Sequence, residues 1–388
     1  MIEINEKKNC TGCGACVNAC PLHIIQLCDD SEGLPYPKVE AAKCIDCHLC
    51  EKSCPMINEI ESNANSFIDY PKFYAGQLDC KEDLLEVSSG GAFWAFAKTL
   101  IDFGGVVYGA VQCHVDIIRH VRAEDTEGIA RMRRSKYFQS DTGLTFQQVK
   151  DDLKTGRLVL YSGTGCQIAG LKKYLSKDYS NLFTCDVVCH GVPSKIVWKT
   201  YREEKERLEG KIMKDLVFRD KTLGWSKNQY KITYSDGSIE REFSVKQMFH
   251  AGYLQGLFYR PSCGSCRFAS LPRVSDITLA DYWKYKGRFR RKGSDFGVSL
   301  ISVNTSKGAD LLLKSAKYLN YDVTEKKLAL SSCRHLDEHP IENPDRQAFF
   351  QLFLEHGFHA AAKKYIVVPK EVSFFSKVKG RITKFFKS

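Results

Sequence analysis

Two cysteine runs near the start of the chain limit what it can fold into more than any other feature. Cys10, Cys13, Cys16 and Cys20 stand in C-T-G-C-G-A-C-V-N-A-C-P, and Cys44, Cys47, Cys50 and Cys54 in C-I-D-C-H-L-C-E-K-S-C-P. Both read C-x2-C-x2-C-x3-C-P, a spacing that wraps two iron–sulfur cubes. Three closely spaced thiolates take three corners of one cube, and the fourth, beside proline, turns away to the other. The expected ligand sets are therefore Cys10, Cys13, Cys16 and Cys54 for one [4Fe-4S] cluster, and Cys44, Cys47, Cys50 and Cys20 for the other. Zinc draws four thiolates as two spaced pairs, which a doubled run closed by Pro21 and Pro55 does not match.

The rest of the chain must work with an electron carrier at one end. At 388 residues it is too long for a ferredoxin alone and has room for two or three domains. A hydrophobic fraction of 43% with only 11 prolines implies a folded core. Of 17 cysteines, those outside the two runs are Cys28, Cys80, Cys113, Cys166, Cys185, Cys189, Cys263, Cys266 and Cys333. Cluster thiolates must stay reduced, so extracellular disulfide chemistry is excluded. The opening M-I-E-I-N-E-K-K has no apolar leader and no run of apolar residues is long enough to span a bilayer, so a cytoplasmic protein is expected. The net charge of +11 is modest. Basic residues concentrate only in R-M-R-R-S-K-Y and in the C-terminal tail, which argues against a nucleic-acid partner.

Residues 1–56 read as an α+β, ferredoxin-like two-cluster domain, with a strand, a turn at Asp29 to Gly33 and a return strand between the cysteine runs. A polar, aperiodic linker covers 57–70. A larger α/β domain with a mixed sheet follows, its N-terminal part over 71–209 and its C-terminal part, ending in helices, over 210–362. Apolar spacing places a helix through Phe93, Phe96, Ala97, Leu100 and Ile101 and a strand over Val106 to Val111. A buried strand over Leu158 to Tyr161 runs through a glycine turn into a helix over Ile168 to Leu175. After Gly210, strands are expected at Lys214 to Arg219, Tyr230 to Tyr234 and Ser238 to Phe243, with a hairpin turn at Ser235-Asp236-Gly237. Helices are expected over Lys307 to Leu319 and Arg346 to Phe358.

Three polar loops are expected at the C-terminal ends of strands, where α/β domains place their sites. S-S-G-G (Ser88, Ser89, Gly90, Gly91) opens a helix, and free amides there attract phosphate, although alone it reads as an ordinary serine-capped start. S-G-T-G-C-Q offers the Gly163–Thr164 turn to a phosphate or a flavin edge and carries Cys166. C-H-G-V-P-S places Cys189 and His190 at a strand end, and C-G-S-C adds Cys263 and Cys266. Taken by spacing, these four thiols fit a third iron–sulfur site, a zinc site or unligated buried cysteine about equally. Lys136 fits an anionic cofactor or a substrate carboxylate, or a solvated basic surface. His190 is a candidate proton donor, so Lys136 and His190 are the candidate catalytic pair. Arg219, Asp220, Asp276 and Asp281, flanked by aromatics, suit a pocket wall or satisfied core pairs.

In order along the chain stand S-S-G-G-A-F, S-K-Y-F-Q-S, G-T-G-C-Q, C-H-G-V-P-S, F-R-D-K-x-x-G-W, C-x-x-C-R-F and S-D-I-T-L-A-D-Y-W. With the ferredoxin unit in front, residues 1 to about 300 resemble the coenzyme F-420 hydrogenase/dehydrogenase beta-subunit family. The resemblance implies FAD and one further [4Fe-4S] cluster in the main domain, with electrons passing from clusters to FAD and on to a deazaflavin or another small organic acceptor. The flavin contacts it implies are Ser88, Ser89, Gly90, Gly91, Lys136, Gln139, Ser140, Gly163 and Thr164. The cluster ligands it implies are Cys166, Cys189, Cys263 and Cys266, with Cys185 as the nearest substitute. Gly165 stands where the family usually has proline, and Lys284 where it has glycine.

Two functional readings follow. One is a flavin-dependent iron–sulfur oxidoreductase, fed by a ferredoxin-type donor and serving surface-polysaccharide biosynthesis. The other is a non-catalytic electron-transfer subunit docked on a separate dehydrogenase or hydrogenase. The tail, 369–388, sets Phe374, Phe375, Val378, Ile382, Phe385 and Phe386 against a lysine-rich face, the pattern of a helix lying on the inner face of a membrane.

Overall fold

The computed structural model describes residues 1–58, 70–290 and 295–369. The expected amphipathic tail, apart from Pro369, and most of the expected linker lie outside the described residues. The cysteine unit contains α1 (Ala15–Ala19), β1 (Ile25–Asp29), β2 (Pro35–Val39) and α2 (Leu49–Lys52). As expected, β1 and β2 pair antiparallel across the Asp29–Gly33 turn. Gly33 takes φ 70°, which a non-glycine residue rarely adopts, and a Cβ there would press on Ile196.

The chain continues through β3 (Lys72–Leu78), α3 (Lys81–Glu86), α4 (Ala92–Asp102), β4 (Val106–His114), β5 (Ile117–Ala123), α5 (Thr126–Ala130), α6 (Thr145–Lys154), β6 (Val159–Thr164), α7 (Gly165–Leu175), β7 (Leu182–Val187) and α8 (Lys195–Glu209). After these come β8 (Met213–Asp220), β9 (Gln229–Tyr234), β10 (Ile239–Phe243), α9 (Met248–Leu254), β11 (Ile277–Asp281), β12 (Ser299–Val303), α10 (Ser306–Lys314), β13 (Leu319–Thr324), α11 (Lys326–Ser332) and α12 (Arg346–Tyr365).

Eight strands form one mixed sheet in the order β13-β3-β12-β11-β7-β6-β4-β5. Its centre, β4, β6, β7 and β11, is parallel, and the flanking pairs are antiparallel. Parallel neighbours need crossovers, and α7 supplies the one between β6 and β7. The central strands are accordingly apolar on both faces: Val159, Leu160, Tyr161, Phe183, Cys185 and Ile277 are buried. A separate sheet, β8-β9-β10, holds the three strands expected after Gly210, with the expected antiparallel hairpin between β9 and β10.

Three expectations need correction. The helix expected to reach Leu319 stops at Lys314, and Leu319 begins β13, which pairs with β3 far away in the sequence. Helical periodicity in that stretch carries no sign of so distant a partner. The S-S-G-G loop follows helix α3 rather than a strand end. The last helix runs past Phe358 to Tyr365 and breaks at Gly357 (φ 81°), where Glu204 accepts from the freed amides of Phe358 and His359 at 2.9 and 3.0 Å.

Candidate functional site

The cysteine unit is fastened to the main domain by hydrogen bonds from buried groups. Asn18, buried, donates to the Gly143 carbonyl at 2.8 Å and accepts from the Phe146 amide at 3.2 Å. Gln139 donates to the carbonyls of Thr11 and Gly12 at 2.9 Å each. Glu32 takes a two-pronged ion pair from the buried Arg346, at 2.5 and 3.2 Å. Paired, multiply bonded charges of this kind hold a geometry well.

Within the unit, Cys20, Cys44, Cys47 and Cys50 line one cavity together with Met1, Ile24, Ile25 and Val39. Cys10, Cys16 and Cys54 lie close enough that each thiolate would repel the others, and Cys13 neighbours Cys10 and Cys16. Cys16 lies near Cys50 of the other grouping as well. Burial pushes the Cys16 thiol up to about 12, so iron entering such a set displaces protons.

The second half of the site lies where the central strands end. Cys166 is the second residue of α7, directly after β6; Cys189 follows β7; Cys263 and Cys266 come from the 3-10 turn Pro261–Ser265 and its end. Cys166, Cys189 and Cys266 repel one another as thiolates, as do Cys263, Cys189 and Cys266. The structure thus brings these four together. Burial pushes Cys189 to about 12 and Cys266 to about 11. Cys185 sits in the apolar core inside β7, apart from the set.

The two halves touch. A Cβ on Gly170 of α7 would stand 2.9 Å from the Cys13 sulfur, and the buried Thr11 hydroxyl lies beside the Cys166 thiol. Around the second half, Arg260 Nε and Arg273 Nε and Nη1 are buried without hydrogen-bond partners among the described residues. Orphaned donors encircling buried thiols fit an acceptor-rich iron–sulfur group. Among the described residues, no three His, Cys, Asp or Glu side chains are grouped to hold a single metal ion.

The other expected site residues are placed differently from one another. Gly90 and Gly91 permit close packing on the sheet: a Cβ on Gly90 would strike the Gly76 carbonyl and the Ser299 amide. Ser88 Oγ accepts from the Ser135 amide at 2.7 Å, and Ser89 Oγ donates to Val298. Lys136 donates to the carbonyls of Met132 and Arg133 at 2.8 and 2.6 Å. Burial, then the neighbouring Arg134, bring its pKa down to about 7. Ser140 accepts from Gln167 at 3.1 Å, while Thr164 and Gln167 form a capping box for α7, leaving the Gly163–Thr164 turn held internally. His190 packs edge-on to His335 at 4.5 Å, and burial brings its pKa down to about 4. Asp276 is a satisfied core carboxylate, accepting from Thr184 and Thr305. Arg219 pairs with Asp281 at 2.7 Å beneath Trp283, which stacks on Trp225 at 4.2 Å.

Sequence reasoning missed Lys221, Arg260 and Arg273. Lys221 donates to Ser89 and Phe296 carbonyls, at 3.1 and 2.6 Å, and burial and Arg219 bring its pKa to about 7. Arg273 pairs at 2.6 Å with Asp186, which is wholly buried on β7. Lys221 stands inside the quoted F-R-D-K, but nothing in that motif distinguishes it from a solvated lysine.

Residues 156–327 match the family described as the C terminus of the coenzyme F420 hydrogenase/dehydrogenase beta subunit, and residues 9–57 match the 4Fe-4S dicluster domain. Over residues 156–327 the chain is therefore similar to the F420 hydrogenase/dehydrogenase beta subunit. Behind its dicluster domain, this beta-subunit relative is an iron–sulfur protein of an oxidoreductase-type family. No curated protein matches it. Among solved structures, a chain of the xenon-derivatised F420-reducing [NiFe] hydrogenase complex from Methanosarcina barkeri is 15% identical, with 78% of this chain and 97% of that chain covered and a TM-score of 0.46. Among the described residues, no helix is long and apolar enough to cross a membrane.

Proposed function

We propose that this chain is an oxidoreductase that carries electrons through three sets of four thiols to FAD, and from there to a small organic acceptor. The observation that supports it is the contact between the two halves of the site, where Cys13 packs on Gly170 and Thr11 faces Cys166. Iron–sulfur clusters supply one-electron transfer when bound, and a flavin couples that to two-electron chemistry. In this reading residues 1–56 receive electrons from a ferredoxin-type donor, and 71–362 form the flavin-binding domain. Cys20, Cys44, Cys47 and Cys50 hold the outer cluster, Cys10, Cys13, Cys16 and Cys54 the middle one, and Cys166, Cys189, Cys263 and Cys266 the inner one.

For the flavin, the fit rests on cations. Lys136 and Lys221 flank the Ser88–Ser89 loop, and among the described residues neither makes an ion pair. Each is brought to about 7 by burial and a neighbouring arginine, so a phosphate arriving there would restore its full charge. Gln139, Ser140 and Thr164, already bonded to the protein, would hold the walls rather than the ligand. The pKa of His190, about 4, leaves it neutral at pH 7, able to give or accept a hydrogen bond without changing charge. A deazaflavin is one candidate acceptor, and a role in polysaccharide synthesis and a tail resting on the inner membrane face remain part of the proposal.

The experiment is anaerobic purification followed by iron, sulfide and flavin analysis. About twelve irons per chain and one FAD are expected, four irons to each cube. A preparation saturating at about eight irons would remove the inner set, and one that takes up no FAD would remove the flavin. The family's beta-subunit name favours a second reading, an electron-transfer subunit on a separate dehydrogenase or hydrogenase. Co-purification of a stoichiometric partner, with no acceptor reduced by the chain alone, would establish that reading instead.

A further inference from the structure

Arg260 is wholly buried and, among the described residues, makes no ion pair. Its guanidinium donates to three neutral oxygens instead: Pro35 carbonyl at 2.9 Å, Gln139 Oε1 at 2.9 Å and Cys10 carbonyl at 3.4 Å. It lies 4.8 Å from the centre of the Tyr36 ring, and its Nε has no partner. Burying a cation costs several kcal/mol unless opposite charge is near. Neutral carbonyls supply only part of that compensation.

The opposite charge within reach is sulfur. The Arg260 carbonyl accepts from the Cys263 amide at 2.9 Å, which fixes the arginine beside the C-G-S-C turn. Its Nη2 lies against Gly12, where a Cβ would be 2.8 Å away, between Cys10 and Cys13. Electrostatically it acts on Cys10, Cys166 and Cys263 alike, favouring the thiolate of each. Those thiols belong to both the middle and the inner sets. Arg273, near Cys189 and Cys266, has the Asp186 carboxylate to balance it, whereas Arg260 pairs with no carboxylate among the described residues.

We infer that Arg260 is a positioning residue whose unpaired charge, shared between the middle and inner clusters, raises the reduction potential of both. This rests on the assignment of Cys10 to one cluster and Cys166 and Cys263 to another. Each reduction adds one negative charge to a group already surrounded by thiolates, and a desolvated cation in contact stabilises that added charge. The thiols on which Arg260 acts, Cys10, Cys166 and Cys263, include none of the outer set, Cys20, Cys44, Cys47 and Cys50. Electrons would therefore be drawn inward from it.

The test is a potentiometric titration, followed by electron paramagnetic resonance, of the full reconstituted chain and its Arg260→Gln variant, after iron analysis of each. With about twelve irons in both, Arg260→Gln should make reduction of two clusters about tenfold less favourable, or about 59 mV for a one-electron couple. The third cluster should stay where it was. Unchanged potentials, or an equal shift of all three, would overturn the inference and leave the cluster assignment standing. Wild-type chain lacking the inner cluster's iron would take down both. If Arg260→Gln loses iron, Arg260→Lys decides: retained charge should give wild-type potentials, and a drop of that size there would show that hydrogen-bond geometry rather than charge sets them.

Discussion

The two thiol-bearing regions are built in opposite ways. In the cysteine unit, eight ligand candidates fall within 45 consecutive positions, Cys10 to Cys54, and only two short helices and one hairpin are needed to gather them. In the main domain, Cys166, Cys189, Cys263 and Cys266 are delivered by the ends of adjacent parallel strands β6 and β7 and by a turn that precedes β11. The first arrangement depends on local spacing and little core. The second depends on an eight-stranded sheet and a buried ion pair, so the same chemistry should respond to mutation differently in the two places.

Cys263→Ser should give the largest effect. Iron should fall by about four per chain, one cube's content, while the spectra of the two N-terminal clusters persist. Loss of N-terminal iron as well would show that the two regions assemble as one and would abolish the contrast.

Arg273→Met should be next. It leaves Asp186 buried without its cation, with Ser275 still donating to it, and breaking a buried pair this way costs about 3–5 kcal/mol. Thermal unfolding of the iron-free chain should report it. A change within about 0.5 kcal/mol, the scatter of surface substitutions, would mean the pair does not support the strand ends.

Gly170→Ala probes where the regions meet. The added methyl falls 2.9 Å from Cys13 Sγ, in tight packing where overfilling costs about 1–3 kcal/mol. Alanine's better helix propensity offsets about 1 kcal/mol of that. Slower electron transfer between N-terminal and inner clusters, at unchanged iron content, is the expected signature. Unaltered transfer would separate this contact from the relay.

The smallest effect is one of pH. His120 on β5 is buried, stacked on Tyr161 and bonded to the Ser162 carbonyl, and burial holds its pKa down to about 4 against 6.5 when exposed. Its stabilising share is complete above pH 6.5 and is lost as pH falls towards 4, about 1.4 kcal/mol for each pH unit. His120→Gln keeps a donor for Ser162 and should flatten the acid slope of sheet unfolding over that range. Parallel slopes for the two proteins would assign the acid sensitivity to other groups.

The sequence by itself determined the cysteine unit almost completely, because ligand spacing, the Asp29–Gly33 turn and the return strand are local, and local geometry is written in adjacent residues. It also determined the β6-turn-α7 and β9–β10 segments, where apolar periodicity and turn residues agree. Tertiary structure alone decided that Leu319 begins a strand beside β3, since a strand's partner is not encoded in its own spacing. It decided that Cys185 lies in the apolar core and Cys166 beside Cys189 and Cys266, although both lie near strand ends in the sequence. And it decided the roles of Arg260, Arg273 and Lys221: a cation's function depends on which opposite charges are near it once water is gone, and that is a property of the folded neighbourhood.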